Sequence, residues 1–153
     1  MSPEVYEIGC LGKIVSFNET IDKRFIINLS GIIRFRIKNE LNNEKLYREF
    51  NVDYSDFYID LKMKDYEKVK YDEKNLLSKI KLLFKKKNYF VAFDELEKLN
   101  LDQLINSICM IFPFSTEEKQ KLIEAVKTED KIKTLEKIIN FNLLDNLENK
   151  TIQ

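Results

Sequence analysis

Apolar residues alternate with polar ones through the first third of the chain, then recur every three to four positions after Asp72. The first rhythm is that of strands and the second that of helices. Tyr6, Ile8 and Cys10 alternate with Glu7 and Gly9, and the pattern runs through Ile14 to Phe17, which predicts a strand. Residues 18–23 are polar apart from Ile21 and predict a turn. Phe25, Ile27 and Leu29 then share one face, with Ile26, Asn28 and Ser30 on the other, until Gly31 interrupts. A glycine inside a strand predicts a bulge or a close backbone approach. Beyond it, Ile33, Phe35 and Ile37 alternate with Arg34 and Arg36, the pattern of a half-buried antiparallel strand. A polar loop over residues 39–44 separates it from a third strand marked by Phe50, Val52 and Tyr54. Residues 60–71 are charged, have no period and form the seam.

The helical stretch opens with an Asp72 cap, behind which Leu76, Leu77, Ile80, Leu83 and Phe84 form one stripe. A shorter helix is expected over residues 91–99. The next buries Leu101, Leu104, Ile105, Ile108 and Cys109, and must stop before Pro113, which has no amide hydrogen and restricts Phe112. Ser115 followed by Glu118 reads as a capping box, with Leu122, Ile123 and Val126 behind it. A last helix from about Thr128 buries Ile132, Leu135, Ile138 and Ile139, and the polar tail after Leu144 is expected to fray. Strands first and helices second make an α+β chain. The boundaries read as a β-rich part over residues 1–62, a helical part over 72–145 and a frayed tail over 146–153.

The 153 residues carry 26 Lys and Arg against 26 Asp and Glu, so the net charge is zero and the general attraction to nucleic acid or anionic lipid is missing. There is no histidine, which removes Ser-His-Asp and Cys-His catalysis and the commonest zinc and iron ligand sets at once. Cys10 and Cys109 stand far apart in apolar surroundings and are expected to be small buried hydrophobes. No apolar run approaches the length of a membrane span and no secretory signal opens the chain, so a cytoplasmic location is expected.

Few motifs compete with this plain reading. Residues 9–13, Gly-Cys-Leu-Gly-Lys, lack the spacing, the following Ser or Thr and the helix of a phosphate loop. Lys85, Lys86 and Lys87 fit the negative end of a helix dipole, and Tyr89 and Phe90 beside them are expected to pack under that helix. Asp56 and Asp60 lie in loop-like sequence without supporting metal ligands. No serine sits in a glycine-flanked elbow. No catalytic, cofactor or metal residue is assigned, and the chain is read as a non-enzyme needing no cofactor.

The strand block over residues 8–37, from Ile8-Gly9-Cys10-Leu11-Gly12-Lys13-Ile14 to Ile32-Ile33-Arg34-Phe35-Arg36-Ile37, resembles the LON domain, the substrate-recognition domain at the front of Lon-type ATP-dependent proteases. The closest likeness is to small stand-alone bacterial LON proteins. The helical half agrees: Leu104-Ile105-Asn106, then Met110-Ile111-Phe112-Pro113-Phe114-Ser115, then Glu117 to Ala125, is similar to the family's helix, proline break and following helix. The family's opening strand and Phe-Glu-Pro-Arg-Tyr-like helix are not found, so the front of the domain is expected to be missing. Lys23 stands where members often have glycine before Arg24.

The resemblance implies an incomplete PUA-like pseudo-barrel joined to a helical bundle, with recognition of unfolded or client polypeptide as its role and a protease or ATPase as partner. Neither the ATPase nor the peptidase of full-length Lon is seen. An RNA-binding PUA-like module is the alternative, disfavoured by the neutral charge. Tyr6, Phe17, Arg34 and Arg36 are the candidate polypeptide-binding residues, and an unpaired sheet edge is expected to promote self-association.

Overall fold

The computed structural model describes residues 3–61 and 71–148, with side chains of the last helix described to Leu144. It has strands β1 (Ile8–Glu19), β2 (Phe25–Leu41) and β3 (Glu49–Asp53), followed by a 3-10 helix (Ser55–Leu61). Helices α1 (Glu73–Lys86), α2 (Phe93–Leu96), α3 (Leu101–Ile111), α4 (Thr116–Glu124) and α5 (Thr128–Glu148) complete it. The α+β order read from the pattern is therefore the order observed. The chain forms two compact units, Met1–Asp65 and Tyr66–Gln153, and each is described by itself.

The first unit is an open antiparallel sheet in the order β1-β2-β3. Its hairpin closes on Thr20 and Arg24: the Thr20 amide donates to the Arg24 carbonyl at 2.8 Å and the Lys23 amide to the Thr20 carbonyl at 2.9 Å. The Thr20 hydroxyl, with Arg24 behind it, holds the Asp22 carboxyl below the usual carboxylate range. Lys23 sits at φ 60°, in the left-handed region that this three-residue loop demands and that glycine occupies without strain. Lys23→Gly is therefore expected to stabilise the hairpin by about 0.5–1 kcal/mol, relief of strain outweighing the added chain entropy. Slower hydrogen exchange of the β1 and β2 amides is the readout; faster exchange would contradict it.

Both paired strands are longer than the pattern indicates. Asn18 and Glu19 belong to β1, and β2 continues to Leu41, because ladder bonds recruit polar residues that have no apolar period. The register skips Ile32, one residue past Gly31, and again Val15 and Lys38. Gly9 faces Phe35 across the ladder, and the ring lies where a Cβ would stand, 2.6 Å from its Cζ. That is the close approach for which a strand glycine serves.

The core of this unit is small: Ile8, Ile33 and Phe57, with Tyr54 against them. The 3-10 helix carries Phe57 under β2 and is tied down by Asp60. Half-burial, expected over residues 33–37 of β2, is found there and stops at Ile33. Towards the hairpin tip neither face is covered, and Cys10, expected inside, is exposed. A three-stranded sheet with one short helix has no second layer long enough to bury strands of 12 and 17 residues.

The second unit follows its caps. The Asp72 carboxylate accepts from the Asn75 amide at 3.1 Å, and Ser115 and Glu118 form the expected reciprocal box. A second box, Asn100 with Gln103, opens α3. At the far end of α1, Asn88 takes φ 56° while the Tyr89 amide reaches the Phe84 carbonyl at 3.0 Å and the Asn88 amide the Lys85 carbonyl at 3.2 Å. This Schellman cap brings Tyr89 edge-on to Phe84. Tyr89 thus meets the Phe84 and Phe112 rings, as expected of a residue packing under the helix, but stays about half-exposed, and Phe90 is fully exposed. The expected helix over residues 91–99 contracts to the single turn of α2.

Lys79 bonds Glu136 at 2.9 Å and Lys86 bonds the Leu143 carbonyl, both pairs 57 residues apart, so α1 and α5 run side by side in the same direction. Leu76, Ile80, Leu83 and Phe84 of α1 meet Leu104, Ile105 and Ile108 of α3 and Ile132, Leu135, Ile138 and Ile139 of α5. Phe112 and Phe114, on either side of Pro113, close one end. No helix among the described residues is long and apolar enough to cross a membrane.

Candidate functional site

The register outward from the Thr20–Arg24 turn sets which side chains share a face. Paired residues point the same way, and the face alternates along each strand. Glu19 pairs with Phe25, Phe17 with Ile27 and, after the bulge at Val15, Ile14 with Leu29 and Gly12 with Gly31. Those rows form one face. Phe17 and Phe25 stack on it with ring centroids 4.9 Å apart. The intervening rows are Asn18 with Ile26, Ser16 with Asn28 and Lys13 with Ser30. They form the opposite face, where the Asn28 amide donates to the Ser16 hydroxyl at 2.7 Å.

The hairpin is therefore amphipathic, and its apolar side is open. Ile14, Phe17, Phe25, Ile27 and Leu29 expose between 46% and 66% of their surface. Together they leave roughly 500 Å² of apolar surface in water, the size of the largest apolar patch on many soluble domains, a patch that is often functional.

Of the four residues singled out in the sequence, only Phe17 lies among these exposed apolar side chains. Tyr6 precedes β1 and is about half-exposed. Arg34 is buried: its Nε and Nη2 each donate to Asp60 at 2.8 Å, its backbone amide donates to the same carboxylate at 3.1 Å, and its guanidinium lies 4.6 Å over the Phe57 ring. Arg36 spans Glu7 at 3.2 Å and Asp56 at 3.3 Å near the surface. Arg34 pairs with Cys10, seven positions along β1 from Phe17, a separation of roughly 23 Å on an extended strand. Phe17 and the arginines do not form one site.

The residues that sequence reading passed over are Ile14, Phe25, Ile27 and Leu29. For three of them the signal was present: once the turn is closed at Thr20 and Arg24, counting outward by twos puts Phe25, Ile27 and Leu29 on the Phe17 face, whereas Ile14 joins it only through the bulge at Val15.

The ionisable groups are held in structural pairs. Asp60 and Asp56 bind the two arginines, and Glu136 is held below the usual carboxylate range by Tyr71 and Lys79. Burial pushes the Cys109 thiol up to about 11. A thiol that stays protonated is a poor nucleophile. At pH 8 an alkylating reagent is expected to modify the exposed Cys10 many times faster than Cys109, whose labelling should require unfolding; equal rates by mass spectrometry would contradict this burial. Among the described residues no cluster of three or more Cys, Asp or Glu side chains is arranged to hold a metal ion.

A family model, that of the ATP-dependent protease La (LON) substrate-binding domain, matches residues 1–140 of the 153. No curated protein matches the chain. The chain therefore belongs to the LON substrate-binding domain family, whose members serve substrate recognition.

Proposed function

We propose that this chain captures unfolded client polypeptide on the apolar face of the β1–β2 hairpin, and does so without hydrolysing it. The supporting observation is the row of Ile14, Phe17, Phe25, Ile27 and Leu29, five large apolar side chains on one side of a sheet whose other side is mostly polar. An unfolded chain offers what such a face takes up, scattered apolar side chains on extended backbone. In this reading the domain supplies recognition in the cytoplasm, and the ATPase and peptidase steps belong to a separate partner. Arg34, locked on Asp60, contributes by holding β2 in place; Arg36 contributes at most a rim contact.

The test is the affinity for fluorescently labelled, reduced and carboxymethylated lysozyme, which cannot refold. Replacing Phe17 and Ile27 together by Ser is expected to weaken binding at least tenfold, about 1.4 kcal/mol. Both side chains are about half in water already, so the fold should persist. Arg36→Ala is expected to change affinity less than threefold. Unchanged binding by the double variant would remove the hairpin face from the proposal. Tight binding of single-stranded RNA that collapses with salt would favour the nucleic-acid alternative instead.

A further inference from the structure

We propose that the same apolar hairpin face is the self-association surface of this protein, so that a second copy and a client compete for it. The competition rests on the client-binding reading above; the self-association does not.

Three observations carry the inference. The first is the asymmetry of the hairpin. One face holds Ile14, Phe17, Phe25, Ile27 and Leu29 with Glu19 at its tip, while the other holds Lys13, Ser16, Asn18, Asn28 and Ser30 with Ile26 and Leu11. The first is the more apolar of the two, and two copies of it packed face to face make the interior of a sandwich.

The second is area. Roughly 500 Å² of apolar side chain per copy gives roughly 1,000 Å² for the pair, the lower end of specific interfaces. That fits a weak, reversible dimer whose contact a client can displace. With equal numbers of acidic and basic residues, 26 of each, the chain carries no net charge to drive two copies apart.

The third is the glycine pair at the inner end of the face. Gly12 and Gly31 oppose each other one row beyond Lys13 and Ser30, on the side of Ile14 and Leu29. Neither has a positive φ. A Cβ at Gly12 would meet nothing nearer than Leu29 Cβ at 3.8 Å, so the fold of the chain does not require glycine there. The result is a recess at one end of the face and the stacked Phe17 and Phe25 at the other. A two-fold axis running across the strands lays the aromatic end of one copy over the aliphatic and glycine end of its partner. Such a contact is isologous and closes on itself, giving a dimer and not a filament.

Sedimentation velocity of the full chain from low micromolar to several hundred micromolar, with and without reduced, carboxymethylated lysozyme, tests this. A monomer–dimer equilibrium in the micromolar range is expected, with the dimer fraction falling as the unfolded probe is added. Gly12→Val, which fills the recess with a strand-forming side chain, is expected to weaken the dimer at least tenfold while circular dichroism and the melting temperature stay as in the parent. A monomer at every concentration that still binds the probe overturns the self-association and leaves the client reading standing. A dimer that ignores the probe overturns the client reading and leaves the dimer standing. A dimer that binds the probe without dissociating overturns the shared face, as does a dimer unaffected by both Gly12→Val and Phe25→Ser.

Discussion

Arg34→Ala is expected to destabilise the sheet unit by about 3 kcal/mol, the usual cost of removing one partner from a buried ion pair. Arg34 makes two side-chain bonds of 2.8 Å to Asp60 and covers the Phe57 ring, with 10% of its side chain and 21% of that of Asp60 exposed. Its loss removes two charge-assisted bonds from a carboxylate that is mostly out of water, leaving in place the bond from the residue-34 amide, and opens a void over the fully buried Phe57. A unit of some 60 residues is stable by only about 3–9 kcal/mol, so this single change removes a large part of the total. Hydrogen exchange of the β2 amides as a function of urea is the measurement, because it isolates the sheet from the helices. Asp60→Asn should cost a similar amount. Changing both residues to leucine should recover most of it, since a buried pair is often replaceable by apolar side chains of similar volume. A cost below 1 kcal/mol for Arg34→Ala would mean that the pair is solvated and the 3-10 helix loosely held. The prediction bears on function too, because lost client capture in this variant would report a loosened sheet and not a lost contact.

Phe84→Ala is expected to cost the helical unit about 4 kcal/mol. The ring is fully buried and meets Phe112 at 5.0 Å, Phe93 at 5.7 Å and Tyr89 at 6.4 Å between centroids. Each of these partners belongs to a different segment: the break after α3, the start of α2 and the cap of α1. Truncation therefore leaves a cavity and also removes the one ring that touches all three partners. Phe84→Leu should cost about half as much, because much of the volume is kept. The loss is read from urea unfolding followed at 222 nm. A difference below 2 kcal/mol for the alanine variant would show that the aromatic cluster collapses to fill the space.

How much was legible in the chain divides at Asp72. The helical unit could be read almost residue by residue, because each signal there is local. Asp72 and Ser115 cap the helices they precede through bonds to amides three residues on, and Pro113 ends α3 with its own ring. Leu76, Ile80, Leu83 and Phe84 lie on one stripe whatever packs against it. What was missed there depends on neighbours: α2 is one turn long, and Phe90 is in water while Tyr89 is only half covered.

In the sheet unit the strands were legible, but their environment was not. Alternation states which side chains share a face; it does not state whether anything covers that face. Phe25, Ile27 and Leu29 look the same in sequence whether they line a core or stand open, and Arg34 and Arg36 look alike whether solvated or locked. Tertiary structure decided both matters. The 3-10 helix reached Arg34 with Asp60 and Phe57, 26 and 23 residues away in the chain, and no second layer reached the hairpin tip. The sequence by itself determined an α+β chain of the LON family without histidine chemistry. Only the fold chose the five apolar residues left in water, because burial is a property of what lies across space and not along the backbone.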